Sequence, residues 1–121
     1  MSECERRLLS LALNDDAALA SLLRSPLDAD EHVGLDARTR ALVCLGAVIV
    51  AGASAVTYQW ATQVALDAGA TDDEIVGTLA AVAPVSGLTR TVSAAPELAV
   101  TLGYDVDEAL EGVADPRHRV D

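Results

Sequence analysis

Residues 68–76 read Ala68-Gly69-Ala70-Thr71-Asp72-Asp73-Glu74-Ile75-Val76, and this run decides the fold class. Gly69 is a helix stop, because glycine takes the left-handed backbone at a helix C-terminus without steric penalty. Thr71 and Glu74 then spell a capping box: the hydroxyl accepts from the N–H three residues on, and the carboxylate reaches back to the cap N–H. A stop and a start this close together specify two helices joined by a short turn. The same punctuation continues outward. Upstream, Gly52 breaks one helix and Ser54 opens another that runs to Ala68, while Asp36 opens the helix before it. Downstream, the capped helix is predicted to reach Ala83, with Pro84 at its boundary. The chain then continues helically through Gly87, Arg90 and Ser93, and Pro96 is expected to kink or split this last long helix. Gly103 ends it, and Asp105 with Glu108 caps a short helix to Leu110.

Ahead of this body, residues 4–13 place Leu8, Leu9, Ala12 and Leu13 at helical spacing. Asn14 or Asp15 caps a second helix to Leu23, which Pro26 ends. Residues 26–34 read as an acidic loop and 112–121 as a frayed tail. No strand-period alternation or internal repeat is present. The sequence therefore predicts a compact all-α fold of six to seven helices in a single domain over 1–121. Residues 41–51 are apolar on every side, which predicts a central, fully buried helix.

The chain has 121 residues, a net charge of −11, eight Arg and no Lys. That balance repels phosphate backbones and anionic lipid, so neither nucleic acid nor a membrane is an expected partner. A mean hydropathy of +0.31 is too apolar for a disordered acidic tail. Residues 41–66 carry no charge, but Ser54, Thr57, Gln59, Thr62 and Gln63 interrupt them before a bilayer's thickness is reached. The acidic start, Glu3 and Glu5, does not resemble a signal peptide, and Cys4 and Cys44 form no Cys-x-x-Cys pair. A cytoplasmic protein is the expectation. Aromatic residues are confined to Tyr58, Trp60 and Tyr104, so the core must be aliphatic and small. Side chains of that size bury little area each, which favours a homo-oligomer.

Several segments recur in a recognisable order. They are 35–43 (Leu-Asp-Ala-Arg-Thr-Arg-Ala-Leu-Val), the Gly52 break, Tyr58-Gln59-Trp60-Ala61, the 68–76 run, and Ala83-Pro84-Val85-Ser86-Gly87. This order resembles the carboxymuconolactone decarboxylase and alkylhydroperoxidase D-like family over roughly 35–102. The resemblance implies an all-helical fold with a central buried helical hairpin at the active region, a trimer or hexamer, and a pocket near a subunit boundary. Redox members of the family carry Cys-x-x-Cys-x-x-x-His on the helix before the Ala-Gly-Ala-Thr run and a Glu on the preceding helix. Those positions fall here on Ser54, Thr57, Ala61 and Leu42, and none keeps the chemistry. No His lies between Val33 and Arg117. Thiol peroxidase activity is therefore not expected, and Cys44 alone cannot replace a dithiol. The polar groups of the decarboxylase branch are not matched either.

The candidate ligand-binding residues are Ser54, Thr57, Tyr58, Trp60 and Arg90. Tyr58 and Trp60 offer a pocket wall; the plainer reading is that they fill volume at a subunit interface. Arg90, alone in charge between Ile75 and Pro96, offers a planar fork of donors to a carboxylate; the plainer reading is a structural ion pair. Ser54 and Thr57 offer hydroxyls, or simply cap their helix. Gln59 and Gln63 line a polar cavity or face solvent. His32 and His118 are expected in solvent, and neither a metal nor a cofactor is expected. The sequence thus points to a protein that binds, and in one reading transforms by lyase, lactone or keto-acid chemistry, a small organic acid or polar metabolite. The alternative is a catalytically inactive oligomeric scaffold; residual thiol chemistry through Cys44 ranks last.

Overall fold

The computed structural model describes residues 1–24 and 34–114, all of whose regular elements are helices. They are α1 (Glu3–Ala12), α2 (Asp16–Leu23), α3 (Ala37–Ala51), α4 (Ala55–Asp67), α5 (Asp72–Thr101) and α6 (Val106–Ala114). Residues 25–33, which hold most of the acidic loop, and 115–121 of the tail lie outside the described residues. The expected end at Leu110 is corrected: α6 continues through Gly112 to Ala114.

Short-range hydrogen bonds set the starts. Ser2, Asp15, Asp36 and Ser54 each accept backbone N–H groups of the first turns of α1 to α4. Asp15, not Asn14, is the cap of α2; Asn14 sits in the left-handed region at φ 57° and makes the turn. Thr71 Oγ1 accepts from Glu74 N–H at 3.1 Å, and Glu74 Oε1 accepts from Thr71 N–H at 3.0 Å. Glu74 Oε2 also meets Arg38 Nη1 at 3.2 Å, so one carboxylate caps α5 and ties it to the start of α3.

The last long helix does not bend where the prolines stand. Pro84 and Pro96 both keep helical backbone, whereas Gly87, at φ 83° and ψ 172°, does not. Each proline deprives one carbonyl of its N–H partner, that of Ala80 or Val92, and both of these residues are exposed and can turn to water. Gly87 reverses the chain. A continuous helix would hold residues 72 and 104 about 48 Å apart at 1.5 Å per residue, yet Tyr104 Oη donates to Asp72 Oδ2 at 2.9 Å. The two halves of α5, 72–86 and 88–101, are therefore antiparallel. With α3 and α4 they make an up-down-up-down four-helix bundle.

This reversal also bears on the membrane question. α5 has the length and hydropathy of a span, but each half is shorter than the ~20 residues a bilayer requires.

The core lies between α3, α4 and both halves of α5. Leu45, Ile49, Tyr58, Ala65, Ile75, Ala94 and Leu98 are all at most 2% exposed. Gly46 lets α3 approach α5 closely: a Cβ there would stand 3.2 Å from Val82 Cγ1. The expectation of a fully buried α3 is corrected. Ala41, Leu45, Gly46 and Ile49 face inward, but Val43 is 57% exposed, and Ala47 and Ala51 are exposed too. An all-apolar helix has no polar face to turn outward, so apolar side chains fill the outer face as well.

The capping box yields a pH prediction. The Glu74 carboxyl lies below its ordinary value, chiefly because Thr71 N–H bonds it; desolvation opposes this, and the charge of Arg38 adds a smaller push downward. A lowered folded-state value means that stabilisation is full above the unfolded-state value, about 4.3, and is lost as pH falls through the lowered one. Glu74→Gln is therefore expected to flatten the acid limb of the stability curve below that range. Urea midpoints across an acid series measure this, and equal slopes in both proteins would refute it.

Candidate functional site

The reversal at Gly87 gathers one end of the bundle around the α3–α4 turn. α3 stops at Gly52, with φ 79°. The Arg90 side chain lies across this glycine, so that an added Cβ would stand 3.0 Å from Arg90 Nε. Glycine is required here twice, by the backbone angle and by the guanidinium above it. No ion pair holds Arg90 among the described residues. The cation thus lies over the C-terminal cap residue of α3, the helix end at which positive charge is favoured.

Two residues beyond Gly52, Ser54 caps α4. Its Oγ accepts from Thr57 N–H at 3.4 Å and lies 3.1 Å from Thr57 Oγ1. Ser54 and Thr57 thus share the first turn of α4, exposed and half-buried respectively. Tyr58 is placed differently. It is 2% exposed, and its hydroxyl accepts from Ala53 N–H at 3.0 Å. The ring fills the core while the oxygen pins the turn on which Ser54 and Gly52 sit. Trp60 follows by two residues, a rotation of about 200° around the helix. It stands outward at 44% exposed, one turn from Val56 at 73%. Four of the five candidates thus belong to the same end of the bundle, and Trp60 is turned away from Tyr58.

The remaining sequence candidates resolve simply. Gln59 Nε2 donates to Glu97 Oε2 at 2.6 Å across α4 and α5, and Gln63 Nε2 donates to Asp67 Oδ1 at 2.9 Å on its own helix. Glu97 was missed by sequence reasoning. The available signal was its spacing of seven from Arg90, which places both on one face of the second half of α5. Cys4 is exposed and Cys44 half-buried, both as free thiols. No group of three potential metal ligands occurs among the described residues.

A groove of about 670 Å³ runs elsewhere, between α3 and the first half of α5. Leu42, Val43, Gly46, Ala47, Val82 and Val85 are among its lining residues, and its walls are almost wholly apolar. None of the five candidates lines it, although Ala51, at its edge, directly precedes Gly52. The groove can hold apolar side chains but has almost nothing to orient a polar ligand.

Comparison with known proteins agrees with this architecture. The model of the carboxymuconolactone decarboxylase family matches residues 17–99, well over half the chain. No curated protein and no solved structure matches it. The chain belongs to the carboxymuconolactone decarboxylase family.

Proposed function

We propose that this member of the carboxymuconolactone decarboxylase family is a cytoplasmic homo-oligomer, a trimer or hexamer, that binds a small organic acid at the end of its bundle. The observation that carries the reading is Arg90. In a chain of net charge −11, its guanidinium lies over a glycine with no carboxylate paired to it among the described residues. Such a fork is suited to a carboxylate, and the hydroxyls of Ser54 and Thr57 begin the neighbouring helix, whose N-terminus also favours an anion. Tyr58 contributes by holding the turn, and Trp60 by facing a neighbouring subunit near the site.

Thiol peroxidase chemistry has no place in this reading, because Ser54 and Thr57 cannot form a disulfide. Any turnover would be of the lyase, lactone or keto-acid kind, without a metal or cofactor. The alternative is a catalytically inactive scaffold that kept the fold, and the hydrogen bond between the Ser54 and Thr57 hydroxyls favours it, since these groups already satisfy each other.

Native mass spectrometry with added benzoate, pyruvate and lactate separates the two. Arg90→Ala is expected to weaken the acid that binds best by about 10- to 100-fold, the range for a lost charge-assisted hydrogen bond, with the assembly intact. Arg90→Lys keeps the charge but not the fork, and recovers only part of the loss. Equal binding in wild type and Arg90→Ala would refute the Arg90 site, and binding in neither would leave the scaffold.

A further inference from the structure

The α1–α2 hairpin and the α3–α5 groove are two apolar surfaces of the same chain that lack partners. α1 and α2 contact each other and no other described helix. Neither has a buried residue. Leu8, Leu9, Leu13 and Leu23 are 65%, 47%, 81% and 85% exposed. Helices of ten and eight residues are too short to hold their shape in water unaided, so this arm requires a surface to lie on.

The groove has the complementary form. Its lining combines the small residues Gly46, Ala47, Ala51 and Ala81 with the branched side chains of Val43 and Val85. Leucine knobs on one side and a glycine–alanine trough on the other are what close helix packing needs.

The chain exposes 8242 Å² in all, above the about 6,200 Å² of a compact monomer of 12.5 kDa, and a standard interface takes about 800 Å² from each partner. The single chain holds both surfaces and leaves them apart.

We infer that the α1–α2 arm of one copy lies in the α3–α5 groove of a second copy, leucines inward. The inference rests on the oligomeric part of the proposed function and names the contact that builds it. It leaves the Arg90 end of each bundle beside the arm of a neighbour, because Ala51 closes the groove next to Gly52.

Cysteine cross-linking of full-length chains tests it. In a Cys4→Ser, Cys44→Ser background, one preparation carries Leu9→Cys and another Ala47→Cys; both positions are exposed in the single chain, so neither change disturbs its core. Mixed, exchanged and oxidised, they are expected to give mainly the mixed disulfide dimer. Val85→Asp, at a residue 76% exposed, is expected to abolish that product and lower the native mass while helical content is kept. A mixed dimer that survives Val85→Asp would overturn the inference. So would Ala47→Cys pairing only with itself, a monomeric disulfide in the doubly substituted chain without mixed dimers, or no cross-link in a protein that is oligomeric by native mass. A monomer at every concentration would overturn the oligomeric reading as well.

Discussion

Tyr58→Ala is expected to lower the unfolding free energy by about 3–5 kcal/mol, the range for truncating a buried aromatic side chain. Against a total of about 5–15 kcal/mol for a domain, that is a large share of the stability. The reason is compositional. The chain has no Phe, and Tyr58 is the largest fully buried side chain among the described residues, packed among Leu45, Ile49 and the alanines of α4 and α5. Alanine neighbours cannot swing inward to fill the space, so the cavity stays open. Tyr58→Phe separates the two roles of the residue. It keeps the ring but removes the acceptor for Ala53 N–H, at a cost of about 1–3 kcal/mol if that donor finds no water. Denaturant midpoints at one fixed protomer concentration, with the slope checked for constancy, measure both. A Tyr58→Ala loss below 1 kcal/mol, of order the average substitution, would show that the ring is not the keystone of the core.

Gly87→Ala is the second large effect, and it is purely a backbone effect. Nothing lies within 4 Å of a Cβ built at Gly87, so no side-chain clash contributes. The φ of 83° with ψ 172° is, however, a region that essentially only glycine occupies, and forcing another residue there costs about 1–3 kcal/mol. Gly77→Ala is the control. It lies in the first half of α5, also with nothing within 4 Å and without a positive φ, so the same methyl group is expected to stabilise by up to about 1 kcal/mol. Opposite signs from the same substitution at two positions ten residues apart would identify Gly87 as the reversal. Equal effects would mean that the chain runs straight through it.

These two substitutions mark the boundary between what is local and what is not. The helix starts at Asp36, Ser54, Thr71 and Asp105 were legible because a cap is a bond between groups two or three residues apart, and residue order alone defines it. The same holds for the stops at Gly52, Gly69 and Gly103. The membership of the fold family was legible from the order of these punctuation marks, and the absence of a Cys-x-x-Cys pair from inspection of the sequence.

The reversal was not legible, because Pro84, Gly87 and Pro96 all carry breaking signals within thirteen residues. A proline is tolerated where its orphaned carbonyl can turn to water, and that depends on which face is exposed. Nor did the sequence say which side of α3 would be buried: a helix apolar all round carries no direction, and only packing against α4 and α5 selected the face of Leu45 and Ile49 and left that of Val43 and Ala47 outside. The candidate site divides in the same way. Its residue types were readable as donors, but Tyr58 reached inward, Trp60 outward, and Arg90 across Gly52 only because Gly87 folds the second half of α5 back along the bundle. Local hydrogen-bond chemistry fixed where each helix begins and ends; contacts between residues far apart in the chain decided which side chains meet.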